Sequence, residues 1–201
     1  VKVDAEKMSK SLNNFFTISE VLKDYHPEVV RYFLASTNYR SDINYSEQNL
    51  ENAKSSVERL FTALRGVEPV EVNLPEDASE YEDKFIKAMD NDFNTPEALA
   101  VMFSLAKEIN TLKTTNIYKA SGYAFLLRKL CGVLGILFTD IEEYFKQVKG
   151  VDANEVEQLI AERIQAKKNN NYARADEIRN SLLEQGIVLE DNATSTTWKK
   201  V

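Results

Sequence analysis

The run Lys7-Met8-Ser9-Lys10-Ser11 places two ammonium groups three residues apart, with two hydroxyls and one apolar anchor among them. Leu12-Asn13-Asn14 follows as a short polar break, and then comes the apolar pair Phe15-Phe16. Such side chains on one mobile loop can bring positive charge and hydroxyl donors onto a polyphosphate whose charge grows during reaction. The same composition also suits a solvated basic turn, and the pentad alone leaves both readings open.

Other residues with chemical potential read more plainly. Cys131 is the single cysteine and lies in the apolar run Phe125-Leu126-Leu127-Arg128-Lys129-Leu130-Cys131, so it reads as a small buried hydrophobe. With one Cys and one His the chain offers no zinc-type ligand cluster. Asp90 and Asp92 would suit a hard cation. Asp and Asn in an interhelix turn, however, compete for local backbone amides, and no calcium-loop spacing follows. His26 precedes Pro27 and reads as a helix boundary.

The elements that must position these residues are mostly helical. The 201 residues include only six glycines and four prolines, with 43% hydrophobic and 28% charged residues. Thr17-Ile18-Ser19-Glu20 is a capping box opening a short helix to about Tyr25. Pro27 opens a second helix, and Ser46 caps a long one with Leu50, Ala53, Val57, Leu60, Phe61 and Leu64 at helical spacing, ended by Gly66. Residues 67–78 read as a linker. Helices then carry Tyr81, Phe85, Ala88 and Met89, and, after a Thr95 cap, Leu99, Met102, Phe103, Ala106 and Ile109. The segment from about Tyr118 to Phe138 reads as a buried central helix, with Gly132 and Gly135 allowing close contact. After a joint at Lys149-Gly150, two helices over roughly 153–169 and 171–185 precede a strand pair, Ile187-Val188-Leu189 with Thr196-Thr197-Trp198-Lys199. The fold class is therefore mainly α: a helical segment, an antiparallel helix bundle and a small α+β tail.

Charge bounds the partners. The net charge of −7 argues against loose coating of nucleic acid. Residues 1–66 balance nine acids against nine bases, residues 67–150 carry fourteen against nine, and residues 151–201 carry nine against seven. A nucleic-acid surface is therefore expected at the two ends. No segment has the length and apolarity of a membrane span, and one cysteine suits a reducing, cytoplasmic compartment. The strand-like Val1-Lys2-Val3 opening reads as entry into a structure that begins upstream.

The order of motifs carries a resemblance. Lys7 to Ser11 is the second signature of class I aminoacyl-tRNA synthetases. With it stand Asp24-Tyr25-His26-Pro27-Glu28-Val29-Val30-Arg31-Tyr32-Phe33-Leu34, Asp92-Phe93-Asn94-Thr95-Pro96-Glu97-Ala98-Leu99, Ala173-Arg174-Ala175-Asp176, Gly186-Ile187-Val188-Leu189-Glu190-Asp191 and Thr196-Thr197-Trp198. Over nearly its whole length the chain resembles the C-terminal half of bacterial cysteinyl-tRNA synthetases. The resemblance implies the end of a class I catalytic domain with stem-contact helices over residues 1–66, a DALR-type helix bundle over 76–148, and a small anticodon-binding domain over 152–201. It implies ATP with magnesium, cysteine and tRNA(Cys) as partners of a cytoplasmic monomer. Zinc and the nucleotide-binding half are expected upstream, so the fragment should be inactive alone.

By the same resemblance, Lys10 stabilises the departing pyrophosphate and Lys7 assists. Ser9 and Ser11 donate or hold the loop, and Met8 anchors it. Asn13 stands where the family usually has Gly, and Asn tolerates a left-handed turn. In the tail, unpaired anticodon bases would be read by stacking and edge contacts. Tyr172 and Trp198 are the candidate stacking faces, and Asp176 and Asp191 the candidate base readers. Arg163, Lys167, Lys168, Arg174 and Arg179 are the candidate phosphate contacts, five bases against two acids over residues 163–179. The alternative is that Tyr172 and Trp198 pack in the small core while the charges are solvated. Two other readings compete with the whole. A mycothiol-type cysteine ligase has no use for the tail, and a free-standing tRNA-binding module has no use for the lysine pair.

Overall fold

The computed structural model describes residues 2–4, 6–9, 14, 17–146, 153–191 and 196–200. The chain divides into two compact units, Val1–Phe138 and Thr139–Val201.

The first unit opens on a small sheet. Strand β1 (Lys2–Val3) pairs antiparallel with β2 (Glu6–Lys7) and parallel with β3 (Asn44–Tyr45). The expected capping box is present: the Thr17 hydroxyl accepts from the Glu20 amide and Glu20 accepts from the Thr17 amide. Helix α1 is shorter than expected, Ile18–Val21. Helix α2 (Pro27–Ala35) starts on His26, whose Nδ1 accepts from the Glu28 amide, so His26 is a helix cap. Helix α3 (Glu47–Leu64) starts on Ser46 as the sequence predicts, and all six of its predicted apolar positions are buried.

Helices α4 (Ala78–Asp90), α5 (Thr95–Leu112) and α6 (Ile117–Val133) form the bundle, and α5 packs against α3, α4 and α6. The α5 cap is Asn94 rather than Thr95, its side chain accepting from the Glu97 amide. Cys131 is buried beside Met102, and burial pushes its thiol pKa up. The segment before α4 is tied down. It includes a 3-10 turn (Glu71–Asn73), where the Val70 amide donates to the Ser121 carbonyl and the Asn73 amide side chain to the Ser121 hydroxyl.

The close approach to α6 itself occurs at Gly122, and of the predicted pair only Gly135 is closely approached, by the Arg31 side chain of α2. A Cβ at Gly122 would lie 2.0 Å from the Asn73 carbonyl oxygen, whereas one at Gly132 would meet nothing within 4 Å. Gly135 lies beyond the helix, at φ +71° in the following turn. That turn is locked by α2: buried Glu28 accepts from the Leu137 amide, and Arg31 donates to the Gly135 carbonyl over 3.0 Å.

The second unit contains α7 (Ile141–Lys146), α8 (Ala153–Lys168), α9 (Tyr172–Glu184) and the hairpin of β4 (Ile187–Asp191) with β5 (Thr196–Lys200). The hairpin register runs from Ile187 opposite Lys200 to Asp191 opposite Thr196. Its core gathers Val156, Ile160, Ile178, Leu182, Ile187 and Trp198. Helix α7, predicted as the last piece of the bundle, packs against β5 instead. Lys146 meets Glu157 at 2.8 Å, and Glu157 accepts from the Trp198 indole over 3.1 Å.

Candidate functional site

The basic loop leaves the sheet at β2, with Lys7 exposed and Met8 and Ser9 half-buried. Asn14 brackets it: its Oδ1 accepts from the Ser9 amide over 2.8 Å, and its Nδ2 donates to the Lys7 carbonyl over 3.3 Å. One side chain thus joins both ends of the segment. This role was missed in the sequence, where Asn14 reads only as part of a polar break. Lys10, Ser11 and Asn13 lie outside the described residues, as do Leu12 and the pair Phe15-Phe16.

The tail divides the nine predicted interface residues into two sets. Arg163 and Trp198 are buried in it, and Asp191 pairs with Arg163 from the surface. The Arg163 side chain is 4% exposed and forks onto Asp191 with bonds of 2.9 and 2.8 Å. Lys167 joins the same carboxylate at 3.3 Å, and the Thr196 hydroxyl donates to it over 2.7 Å. Arg163 first, then Thr196, hold the Asp191 carboxyl well below the usual carboxylate range. Trp198 is fully buried. Two of these placements depart from expectation: Trp198 offers no stacking face, and the Arg163 guanidinium does not lie at the surface. Asp191 stays partly exposed, with its carboxylate engaged by Arg163.

The remaining positions lie at the surface. Tyr172 is 60% exposed, and Tyr172, Asp176 and Arg179 follow at four- and three-residue intervals on one face of α9. Lys168 is exposed at the end of α8. Arg174 is engaged by Glu162 and Glu177, both at 2.8 Å, which removes much of its reach toward a phosphate. The connection between the helices is fixed by Asn171, whose side chain accepts from the Arg174 amide and whose own amide donates to the Ala166 carbonyl.

The paired aspartates of the α4–α5 turn do not assemble a metal site. Asp92 accepts from the Tyr39 hydroxyl at 2.7 Å and from Arg40 at 2.6 and 3.0 Å, which pulls its carboxyl down to about 2. No group of three or more His, Cys, Asp or Glu among the described residues could hold a metal ion. No described helix is long and apolar enough to cross a membrane.

Comparison with known families matches these parts in the same order. Residues 1–55 match the family described as tRNA synthetases class I (C) catalytic domain. Residues 84–139 match the DALR domain, and residues 153–198 the cysteinyl-tRNA ligase anticodon binding domain. Over 200 residues the chain is 84% identical to the cysteine–tRNA ligase of Francisella tularensis subsp. novicida (strain U112), covering 100% of this chain and 44% of that protein. The chain belongs to the cysteine–tRNA ligase family.

The cysteine–tRNA ligase of the subspecies mediasiatica (strain FSC147) is 83% identical over 200 residues, 100% of this chain and 44% of that protein. That of the subspecies tularensis (strain WY96-3418) is also 83% identical, over 100% of this chain and 43% of its own length. The chain therefore spans less than half the length of these cysteine–tRNA ligases. Within the family frame, the basic loop falls in the catalytic-domain match and the exposed face of α9 in the anticodon-binding match.

Proposed function

We propose that this chain is the loop-supplying, tRNA-engaging part of an enzyme that activates cysteine with ATP and transfers it to tRNA(Cys). The observation that carries the reading is its match from end to end with cysteine–tRNA ligases, with the lysine pentad inside the catalytic-domain match. Because the chain covers less than half of those proteins, the activity belongs to it together with the remainder of such an enzyme, and the chain alone should not aminoacylate.

The proposed chemistry follows from charge. When the cysteine carboxylate attacks the α-phosphorus, the bond to the bridging oxygen breaks and negative charge builds on the leaving pyrophosphate. An ammonium that meets that charge in the transition state lowers the barrier selectively. Lys10 is assigned this role, with Lys7 beside it. Ser9 and Ser11 supply hydroxyl donors and Met8 the apolar anchor. The Asn14 bracket keeps the Lys7 carbonyl and the Ser9 amide in register, so Lys7 departs from a fixed base. Magnesium enters with the nucleotide, as part of the substrate. Zinc finds no ligand set among the described residues.

Tyr172, Asp176, Arg179 and Lys168 are proposed to face the anticodon, with tRNA(Cys) as the partner of a monomeric, cytoplasmic enzyme. In the full-length enzyme, Lys10→Ala is expected to slow ATP–pyrophosphate exchange at least about a hundredfold, the loss of one strong charge contact in the transition state. Exchange at near wild-type rate would remove Lys10 from the mechanism.

A further inference from the structure

A groove of about 600 Å3 opens in the first unit between the 3-10 turn before α4 and the start of α6. Val72, Leu74 and Pro75 line it from the turn and its exit, and Asn116 and Tyr118 from the cap and first turn of α6. Its apolar members face outward: Val72 is 88% exposed, Tyr118 74% and Leu74 40%. Single exposed hydrophobes are ordinary, but several sharing one groove mark an interaction surface.

The groove is built before anything enters it. The Val70 amide donates to the Ser121 carbonyl, and the Asn73 side chain donates to the Ser121 hydroxyl over 2.8 Å. Gly122 lets the Asn73 carbonyl lie against α6. Seating a partner here orders little backbone, which favours binding at a small surface. Charge then selects the partner. Residues 67–83 carry seven acids and no base. Asp77 is engaged by the Tyr123 hydroxyl at 2.8 Å and by Lys119 at 3.6 Å, Glu80 by Lys84 and Glu82 by Lys129. Glu68, Glu71 and Glu76 are exposed and meet no base among the described residues. Lys119 lines the groove, but Asp77 offsets its charge. Apolar walls thus stand beside uncompensated negative charge. That field repels a nucleic-acid backbone, and it repels a second copy of a chain whose net charge is −7.

We propose that this groove docks a short cationic segment of a partner protein. One aliphatic side chain of that segment sits among Val72, Leu74 and Tyr118, while Lys or Arg side chains flanking it meet Glu71 and Glu76. The Tyr118 ring adds a face on which a cation can rest. The surface uses neither the lysine loop nor the tail residues assigned to tRNA, so it goes beyond the aminoacylation reading and does not depend on it.

The test is fluorescence anisotropy of labelled octapeptides with the full chain. Three probes separate the two forces: alternating lysine and leucine, alternating lysine and serine, and alternating glutamate and leucine. The lysine–leucine peptide should bind one to one with a Kd of about 10 to 100 μM, as a small transient interface does. The lysine–serine peptide should bind at least about fivefold more weakly, and the glutamate–leucine peptide should not bind. Val72→Ser and Tyr118→Ser should each weaken the first peptide at least about fivefold. Glu71→Gln with Glu76→Gln should weaken it about three- to tenfold and flatten its dependence on salt. Ile86→Ser, an exposed position outside the groove lining, should leave binding unchanged. All these side chains are exposed, so thermal midpoints should match the wild type. If the lysine–leucine peptide does not bind, or the groove variants bind it as the wild type does, the proposal is overturned. It is equally overturned if oligouridine RNA binds and Val72→Ser weakens that binding, because the occupant is then a nucleic acid. A dimer in sedimentation that Val72→Ser dissociates would give the groove to a second copy and overturn it too.

Discussion

At the scale of single residues, Asp191 shows how much of a small unit can hang on one carboxylate. It accepts from Arg163, Lys167 and Thr196 together, and Arg163 has no exit to water. Asp191→Asn keeps the shape but leaves a buried guanidinium without its counter-charge. A fully buried pair broken this way loses about 3–5 kcal/mol, and the half-exposed Asp191 brings the expected loss to about 1–3 kcal/mol. The pH dependence has a definite sign. The carboxyl is held low in the folded chain, by Arg163 before all others. Its contribution is therefore complete above the unfolded value of about 4 and is lost as pH falls through the folded value. Guanidinium unfolding followed by Trp198 fluorescence should show a lower midpoint for Asp191→Asn at neutral pH. The gap to wild type should narrow below about pH 4. Equal midpoints at neutral pH would contradict the framework role. Trp198 marks where the stacking expectation gave way to its alternative of core packing, because exposure is invisible in residue type. A unit this small cannot leave its largest hydrophobe at the surface. The polar residues flanking Trp198 already point to an inward-facing strand position.

At the scale of elements, start signals were the most legible part of the chain. Thr17 with Glu20, Pro27 after His26, and Ser46 each open a helix where the sequence places one, because a cap acts locally and needs no tertiary partner. Close approach between elements was not legible, since it depends on what packs across the helix. Gly122 and Gly132 look alike in sequence, yet only Gly122 lies under the carbonyl of Asn73. Gly122→Ala forces backbone against backbone and is expected to destabilise the bundle by about 1–3 kcal/mol. Gly132→Ala fills open space in a helix and should stabilise it by about 0.5–1 kcal/mol through lower unfolded-state entropy. Thermal midpoints moving in opposite directions would confirm the assignment, and a common shift would refute it. The basic loop belongs to this scale too. The pentad was visible in the residues themselves, but the Asn14 bracket required the fold.

At the scale of the whole molecule, the joint between the units lies at Phe138–Thr139, and this sets what each spectroscopic probe reports. Helices α2 to α6 of the first unit hold most of the helical residues, so far-UV circular dichroism follows that unit. The chain has one tryptophan, Trp198, and it is buried in the second unit, so its fluorescence follows the tail alone. A small α+β unit buries a smaller fraction of its surface than a larger bundle and should unfold at lower denaturant. The two curves are therefore expected to separate, fluorescence first, in the intact chain. Helix α7 supplies the discriminating variant. Tyr144 and Phe145 are buried, α7 packs on β5, and Lys146 holds the Glu157 that bonds the Trp198 indole. Phe145→Ala removes a large apolar side chain from that contact, a change of about 3–5 kcal/mol in a well-packed core. The fluorescence transition should move to markedly lower denaturant while the main dichroism transition stays in place. If instead the dichroism curve moves and the fluorescence curve does not, α7 belongs energetically to the bundle, as the expected bundle over residues 76–148 would have it.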